Sequence, residues 1–241
     1  VADLPSISLI TATYNAAQHL PGLIESVRQQ SDRAFEWIVI DGASEDGTLD
    51  LIRAAQDVLT DYVSEPDFGI FHALNKGIQR ATGDYYLVVG ADDRLDPLAI
   101  ANYKQAVRMS HADIIAADIY SENQRHIQPK KTPVWLSGAR SLISAHAVGT
   151  LIKKTLHDTY GYYCPLYPTI ADSVFLVDVF QAGVSIYHAP FIAGQHCTQG
   201  FSSRYKALSF AENFTNQKKY SIKSIQFLLL IVRLLWFYFH L

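Results

Sequence analysis

The residues best able to do chemistry in this chain are acids that follow apolar runs. Asp92 and Asp93 come just after the apolar segment 85–89 and Gly90-Ala91. Two adjacent carboxylates repel each other and persist most comfortably beside a hard cation such as Mg2+, which is commonly held by one or two carboxylates plus substrate phosphates. The same dipeptide, ahead of Arg94-Leu95-Asp96-Pro97, also suits a solvated turn. Asp41 closes the run 37–40 and precedes Gly42. It could accept hydrogen bonds from a nucleobase N–H or a ribose hydroxyl, or form an ordinary Asx turn. Asp67 lies in Ser64-Glu65-Pro66-Asp67-Phe68-Gly69 ahead of a helical pattern and could simply be its cap. Lys76 and Arg80 on that helix could face a diphosphate or belong to a solvated face. Asp172 opens a later helical pattern, where Asp is also a favoured N-cap. Asp178, six residues on, is a rival carboxylate on another helical face. His188 and His196 could complete a metal site, although a loop or partly buried imidazole is the plainer reading.

The elements that must position these groups alternate. Residues 6–13 (SISLITAT), 37–40, 62–64 and 85–89 read as short buried strands. Leu20, Leu23, Ile24 and Val27 recur at i, i+3, i+4 and i+7 and predict one apolar helical face. Residues 49–55 predict a short helix, and Ile70, Ala73, Leu74 and Ile78 another, closed by Gly83. Strands alternating with helices imply βαβ units and a mostly parallel sheet flanked by helices. In such sheets ligands sit at the carboxyl ends of the strands, where Asn15, Asp41, Glu65, Asp67, Asp92 and Asp93 all fall. The second half is less regular. Residues 129–133 form a proline-bearing connection, and 141–152 is apolar with Ser144 and His146 interspersed. Residues 172–182 predict a helix with Gly183 just past its end, 184–187 a strand, and 194–203 a polar loop.

Composition bounds the classes. The 241 residues predict one large domain, or one domain with a small appendage, able to hold a core without disulfides. An apolar fraction of 49% and a charged fraction of 18% exclude a disordered chain. A net charge of −3 argues against a nucleic-acid binder that works by bulk charge. Cys164 and Cys197 make neither a disulfide framework nor a CxxC site, which fits a reducing compartment. The chain opens on Val1, as expected of a trimmed or renumbered start, and shows no secretory pattern. The triplet Asn213-Phe214-Thr215 is then read as a chance match to a glycosylation acceptor. Residues 227–241 are nearly all apolar, broken by Arg233 and His240. As a helix this tail would reach about 22 Å, short of the roughly 30 Å hydrocarbon layer. Lys218, Lys219 and Lys223 precede it. Such a segment, with Arg233 mid-run and no amphipathic stripe, suits an anionic membrane surface or packing on the domain or on a second subunit.

Taken in order, ITATYNAAQHLPGLIESVRQQ, EWIVIDGASEDGT and SEPDFGIFHALNKGIQRATGDYYLVVGADD resemble the family 2 glycosyltransferases of the GT-A fold. The likeness is strong over 6–97 and continues more weakly to 203 through AHAVGTLIKK, Ile170-Ala171-Asp172 and Gly200-Phe201-Ser202-Ser203. It implies a GT-A, Rossmann-like α/β domain over 1–215, with a nucleotide-binding half (1–97) and an acceptor half (98–215), followed by a C-terminal helical extension over 216–241. It implies an inverting transferase that moves a sugar from a nucleotide-diphosphate sugar, UDP by default, to an acceptor hydroxyl, as in polysaccharide assembly. By position, Thr11 and Asp41 would line the nucleotide pocket, with Asp67 a further contact. Asp92-Asp93 would be the DXD-type element, Asp93 the direct ligand of Mg2+ or Mn2+ and Asp92 set against the ribose or sugar. Asp172 would be the catalytic base, although Ser173 stands where many members carry an aromatic residue. The loop 200–203 could close over the donor. The implied partners are the donor sugar and a glycan or lipid-linked acceptor, with no nucleic acid, an optional contact to the inner face of a cell membrane from a cytoplasmic location, and a homo-oligomer left open. A catalytically silent nucleotide-sugar binder is the main alternative. A sugar nucleotidylyltransferase would need a glycine-rich basic loop where this chain has Tyr14-Asn15-Ala16-Ala17.

Overall fold

Four parallel strands make the first half of a mixed sheet: β1 (Ile7–Thr13), β2 (Glu36–Asp41), β3 (Asp61–Ser64) and β4 (Tyr85–Val88). The computed structural model describes residues 4–144, 146–197 and 205–239, and it orders these strands β3-β2-β1-β4. They are joined by α1 (Leu20–Arg28), α2 (Thr48–Ala54) and α3 (Ile70–Arg80), in line with the expected alternation. On one side of the sheet, Leu20, Leu23, Ile24 and Val27 of α1 pack with Trp37 and Tyr103. On the other, Phe71, Leu74 and Ile78 of α3 pack on Ile10, Ile38 and Ile40. Each such side chain contributes about 1.5–3 kcal/mol by leaving water.

Gly77 lets α3 approach β1 closely, because a Cβ there would overlap Ile10 Cγ2. Gly77→Ala should therefore lower stability by about 1–2 kcal/mol, overpacking outweighing the better helix propensity of Ala. A urea midpoint at or above that of the parent chain would refute this.

Past β4 come β5 (Arg94–Leu95), α4 (Ala99–Ser110), β6 (Ile114–Ser121), β7 (His126–Ile127) and α5 (Val134–Ser137). They are followed by β8 (Thr150–Lys153), α6 (Leu156–Tyr160), α7 (Ala171–Gln181) and β9 (Ile186–His196). The sheet continues β4-β8-β6-β9-β5. Here the pairing changes: β8 is antiparallel to β4 and β6, β9 is parallel to β6, and β5 is antiparallel to β9. β9 runs well beyond the expected strand at 184–187 and takes residues 194–196 out of the expected loop. It does so through a register shift beside Pro190, which cannot donate to a ladder, so the pairing resumes at Ile192 and Gly194. These antiparallel returns position the site. Leu87 pairs with Leu151, which carries residues 146–149 to the carboxyl end of β4. Arg94 pairs with Gln195, which carries His196 to the same place.

The chain ends in α8 (Lys206–Gln217), which runs through residues 215 and 216, and α9 (Lys223–Phe239). Edge-to-face pairs Phe210–Phe237 and Phe214–Phe227, each with centroids 6.3 Å apart, join the two helices. α9 does carry a polar stripe, and it faces inward. Buried Gln226 donates from Nε2 to the Trp135 carbonyl (2.6 Å) and Ser221 Oγ (2.8 Å). Arg233, seven residues on, donates to the Leu136 carbonyl (2.6 Å) and Gln217 Oε1 (3.5 Å). Leu228, Val232, Leu235, Trp236 and Phe239 are each more than half exposed. No helix among the described residues is long and apolar enough to cross a membrane.

Candidate active site

The parallel register sets Thr13 beside Asp41 and Asp41 beside Ser64. Asp41 is fully buried. Its Oδ1 accepts from Thr13 Oγ1 (2.9 Å) and Ser44 Oγ (2.5 Å), and its Oδ2 from the Ser44 N–H (3.0 Å) and Ser64 Oγ (2.7 Å). Burial works to raise its pKa, but the hydrogen bonds from Ser44, Ser64 and Thr13 prevail and hold it below the usual carboxylate range. Asp41 thus ties three strand ends and the 42–47 loop together with all its lone pairs engaged. Thr11 is also fully buried, accepts from Trp37 Nε1 (3.1 Å), and does not line the cavity described below.

What this edge presents to solvent is Tyr14, 70% exposed, and half-buried Asp67. A Cβ on Gly42 would lie 2.7 Å from Asp67 Oδ2 and 3.3 Å from Tyr14 Cδ2, so the three residues converge. Asp67 is not the helix cap: its Oδ1 accepts from the Gly69 N–H (2.7 Å), and Gly69 holds the cap position. Lys76 pairs with Glu65 (2.6 Å) and Arg80 with Asp61 (2.8 Å), so both cations are engaged in side-chain pairs.

Asp93 lies at the carboxyl end of β4, buried, with Oδ2 accepting from the Gly90 N–H (2.9 Å). His146 Nδ1 stands 3.4 Å from Asp93 Oδ2, and His196 Nδ1 3.6 Å from Asp93 Oδ1. The two imidazoles stack with centroids 3.7 Å apart. Asp93 Oδ1 and both Nδ1 atoms are buried without a hydrogen-bond partner. Each such orphan costs about 1–3 kcal/mol, and Asp93, His146 and His196 each offer a ligand atom within 4.8 Å of the other two, so one divalent cation could satisfy the cluster. The residues present therefore fit a metal. Burial, opposed by Asp93, lowers the pKa of His146 and favours the neutral ring that a metal needs. Burial and then the neighbouring Asp93 raise the pKa of Asp92.

His196 was a sequence candidate. His146 was not, its only signal being a histidine interrupting an apolar run. His188 is exposed on β9 opposite Ala116 and is not part of the cluster. The loop 200–203 lies outside the described residues.

Asp172 sits in the first turn of α7, where Ile170 holds the cap position. Its Oδ1 accepts from the Ser173 N–H (2.7 Å). Burial pushes its pKa up to about 6. It lines a cavity of about 460 Å3 together with Gly90, Asp92 and His146. The structure thus brings Asp172, from the second half, to the same space as the Asp92-Asp93 turn. Asp178 lies elsewhere, accepting from Tyr220 Oη (3.0 Å) and paired with Lys219 (3.4 Å).

The family model described as "Glycosyl transferase family 2" matches residues 8–164. A PGL/p-HBAD biosynthesis glycosyltransferase of Mycobacterium bovis is 36% identical over 94 residues, 38% of this chain and 37% of that protein. The putative teichuronic acid biosynthesis glycosyltransferase TuaG of Bacillus subtilis is 32% identical over 93 residues, 37% of each chain. The alignments thus span little more than a third of these curated relatives. Among solved structures, the mannosyltransferase PcManGT of Pyrobaculum calidifontis in complex with GDP-Man and Mn2+ superposes with a TM-score of 0.70 at 17% identity, covering 96% of this chain and 69% of that one. S. aureus TarS 1-349 in complex with UDP-GlcNAc gives 0.68 at 16% identity, covering 95% and 71%. At such identities the likeness is one of fold.

Proposed function

From a chain that belongs to glycosyl transferase family 2, we propose a metal-dependent, inverting transferase that moves a sugar from a nucleotide-diphosphate sugar to an acceptor hydroxyl. The observation that carries the proposal is the single cavity shared by Asp172, Asp92 and His146. Asp172, of raised pKa, lines the same space as His146, whose Nδ1 is one of the buried atoms without a partner. Tyr14, Gly42 and Asp67 would receive the nucleoside, with Asp41 holding their strand ends in place. Asp93, His146 and His196 would hold the cation, and Asp92 would lie against the ribose or sugar. A bound cation supplies Lewis-acid stabilisation of the charge that collects on the leaving nucleoside diphosphate. Two imidazoles beside one carboxylate suit Mn2+ better than Mg2+, which prefers an all-oxygen shell.

The step itself is a displacement at the anomeric carbon. The acceptor oxygen forms the new C–O bond, the bond to the diphosphate oxygen breaks, and the acceptor proton passes to an Asp172 carboxylate oxygen. Asp172 must be ionised to take that proton, so with a pKa of about 6 the rate should fall as pH drops through 6 and level off above 7. The test is nucleoside-diphosphate release from a panel of UDP- and GDP-sugars with Mn2+ across pH 4.5–8.5. No release from any donor, or a rate flat across pH 6, would count against the assignment.

A further inference from the structure

Asp172 has an inner neighbourhood as well as an outer one. On the outer side it shares the large cavity with Asp92, His146, Lys130, Arg140, Lys206 and Arg233. No cation among the described residues forms an ion pair with it. On the inner side it lines a second cavity, of about 30 Å3, with Tyr163 and chiefly apolar side chains such as Leu74, Ile152 and Leu176. That is room for about one water.

Tyr163 ends a buried chain of three polar rings. His157 Nδ1 meets the Gly161 carbonyl at 2.9 Å, His157 Nε2 meets Tyr86 Oη at 2.7 Å, and Tyr86 Oη meets Tyr163 Oη at 2.9 Å. All three side chains are buried. The direction of every bond follows from the first. A carbonyl only accepts, so Nδ1 carries the imidazole proton. Burial, opposed by the Gly161 bond, lowers the pKa of His157 and keeps the ring neutral, so Nε2 is bare. Tyr86 must then donate to Nε2. With its one proton spent there, it can only accept from Tyr163. The Tyr163 hydrogen is thus committed to Tyr86, and only the lone pairs of its oxygen remain for the Asp172 side. Burial raises the pKa of both phenols and the charge of Asp172 adds to it, so the carboxylate lies within electrostatic reach of the chain.

The chain is also firmly held. The His157 ring stacks on Phe175 (centroids 4.4 Å apart) and on Tyr162 (5.2 Å). Phe175 follows Asp172 on α7, so one helix carries both the carboxylate and a ring that clamps the far end of the chain. Asn75 of α3 fixes the Tyr163 backbone, donating from Nδ2 to its carbonyl (2.9 Å) and accepting at Oδ1 from its N–H (3.0 Å). Phenylalanine at 86 and 163 would serve packing as well, with no buried hydroxyls to satisfy.

Resting on the assignment of Asp172 as the base, we propose that Tyr163 is a positioning residue for it. The Tyr163 hydroxyl, aimed by Tyr86 and His157, turns its lone pairs toward the carboxyl and accepts from it, directly or through one water, once Asp172 has taken the acceptor proton. The proton stays on Asp172, and none passes along the chain. The network favours the proton-bearing carboxyl over the charged one and so makes Asp172 a stronger base in the displacement step.

The test is Tyr86→Phe in the full chain, with two readouts. One is the acid limb of the pH–rate profile for nucleoside-diphosphate release. The other is the pH titration of the Asp172 carboxyl carbon by NMR. Without the Tyr86 oxygen, the Tyr163 hydroxyl has only the Asp172 side left to donate to, and a donor to a carboxylate favours its charged form. Both midpoints should fall by about one pH unit, the scale of one hydrogen bond to a charged group. In Tyr86→Phe/Tyr163→Phe no hydroxyl is left to turn, and both midpoints should return to the parental value or above it. An unchanged or raised carboxyl midpoint in the single variant, or an equal fall in the double one, would overturn the proposal. Nitrogen NMR of the parent chain reads the direction of the bonds without any substitution. At about pH 7 His157 should carry its proton on Nδ1 alone; a proton on Nε2 would overturn the proposal even if neither variant folds. If the carboxyl carbon behaves as expected while turnover is absent or indifferent to pH near 6, the base assignment fails and the hold of Tyr163 on Asp172 stands.

Discussion

Asp172→Asn should cost about 10²–10⁴-fold in turnover, the span of a positioned general base, while leaving the nucleotide-induced thermal shift intact. It should also make the protein more stable at neutral pH. The carboxyl ionises near pH 6 in the folded chain against 3.8 for the free group. Between those values the folded state binds the extra proton, so its stability falls as pH rises through 6 and stays low above. About two pKa units correspond to roughly 3 kcal/mol. Asn resembles the protonated form and can still accept from the Ser173 N–H. The melting temperature should therefore rise by several degrees at pH 8 and change little at pH 4. A variant that keeps its turnover, or melts lower at both pH values, would show that Asp172 is not an ionised base held in a poorly solvated place.

Asp93→Asn should act on binding. Asp93 is the one carboxylate of the Asp93–His146–His196 cluster, and its Oδ1 has no partner in the protein. Loss of a direct ligand should weaken Mn2+ by at least the 10–100-fold seen when a ligand's supporting partner is removed. At a nucleotide concentration 100 times Kd, binding stabilises the parent chain by about 2.7 kcal/mol, and a hundredfold weaker Kd leaves about 0.4. That is a shift of roughly 5–11 °C shrinking to one or two. His146→Ala should behave the same way in kind. An undiminished Mn2+-dependent shift in Asp93→Asn would remove this residue from the metal site.

The half of the candidate site on parallel strands was legible in the sequence because its cause is local. Apolar runs long enough for a buried strand end in Asp41 or in Gly90-Ala91-Asp92-Asp93, and the crossover helices leave those ends adjacent. Even there, a residue type at a strand end did not say which way its side chain would turn. Thr11 and Asp41 spend their polar atoms inside the protein, while Tyr14 stands exposed. The other half depends on pairings that local pattern does not record. β6 carries Asp118 and β9 carries Pro190, His188 and Gly194, so neither reads as a simple buried strand. His146 gains its place only because β8 runs back along β4. The stripe of α9 was hidden by its polarity: a search for an apolar face toward the core passes over Gln226 and Arg233, the two residues that attach the helix.

The return of β8 and β5 along their neighbours has a consequence for assembly. Asp93, His146 and His196 are supplied by three distant stretches, and the last arrives only when β9 has docked beside β5 and β6. Residues 8–164, the part matched by the family model, include two of these side chains but neither His196 nor Asp172. A nascent chain of that length lacks Asp172 and His196, two of the groups that the proposed reaction calls on. In the proposed mechanism, competence would therefore come late in synthesis, once the residues of α7 and β9 are in place.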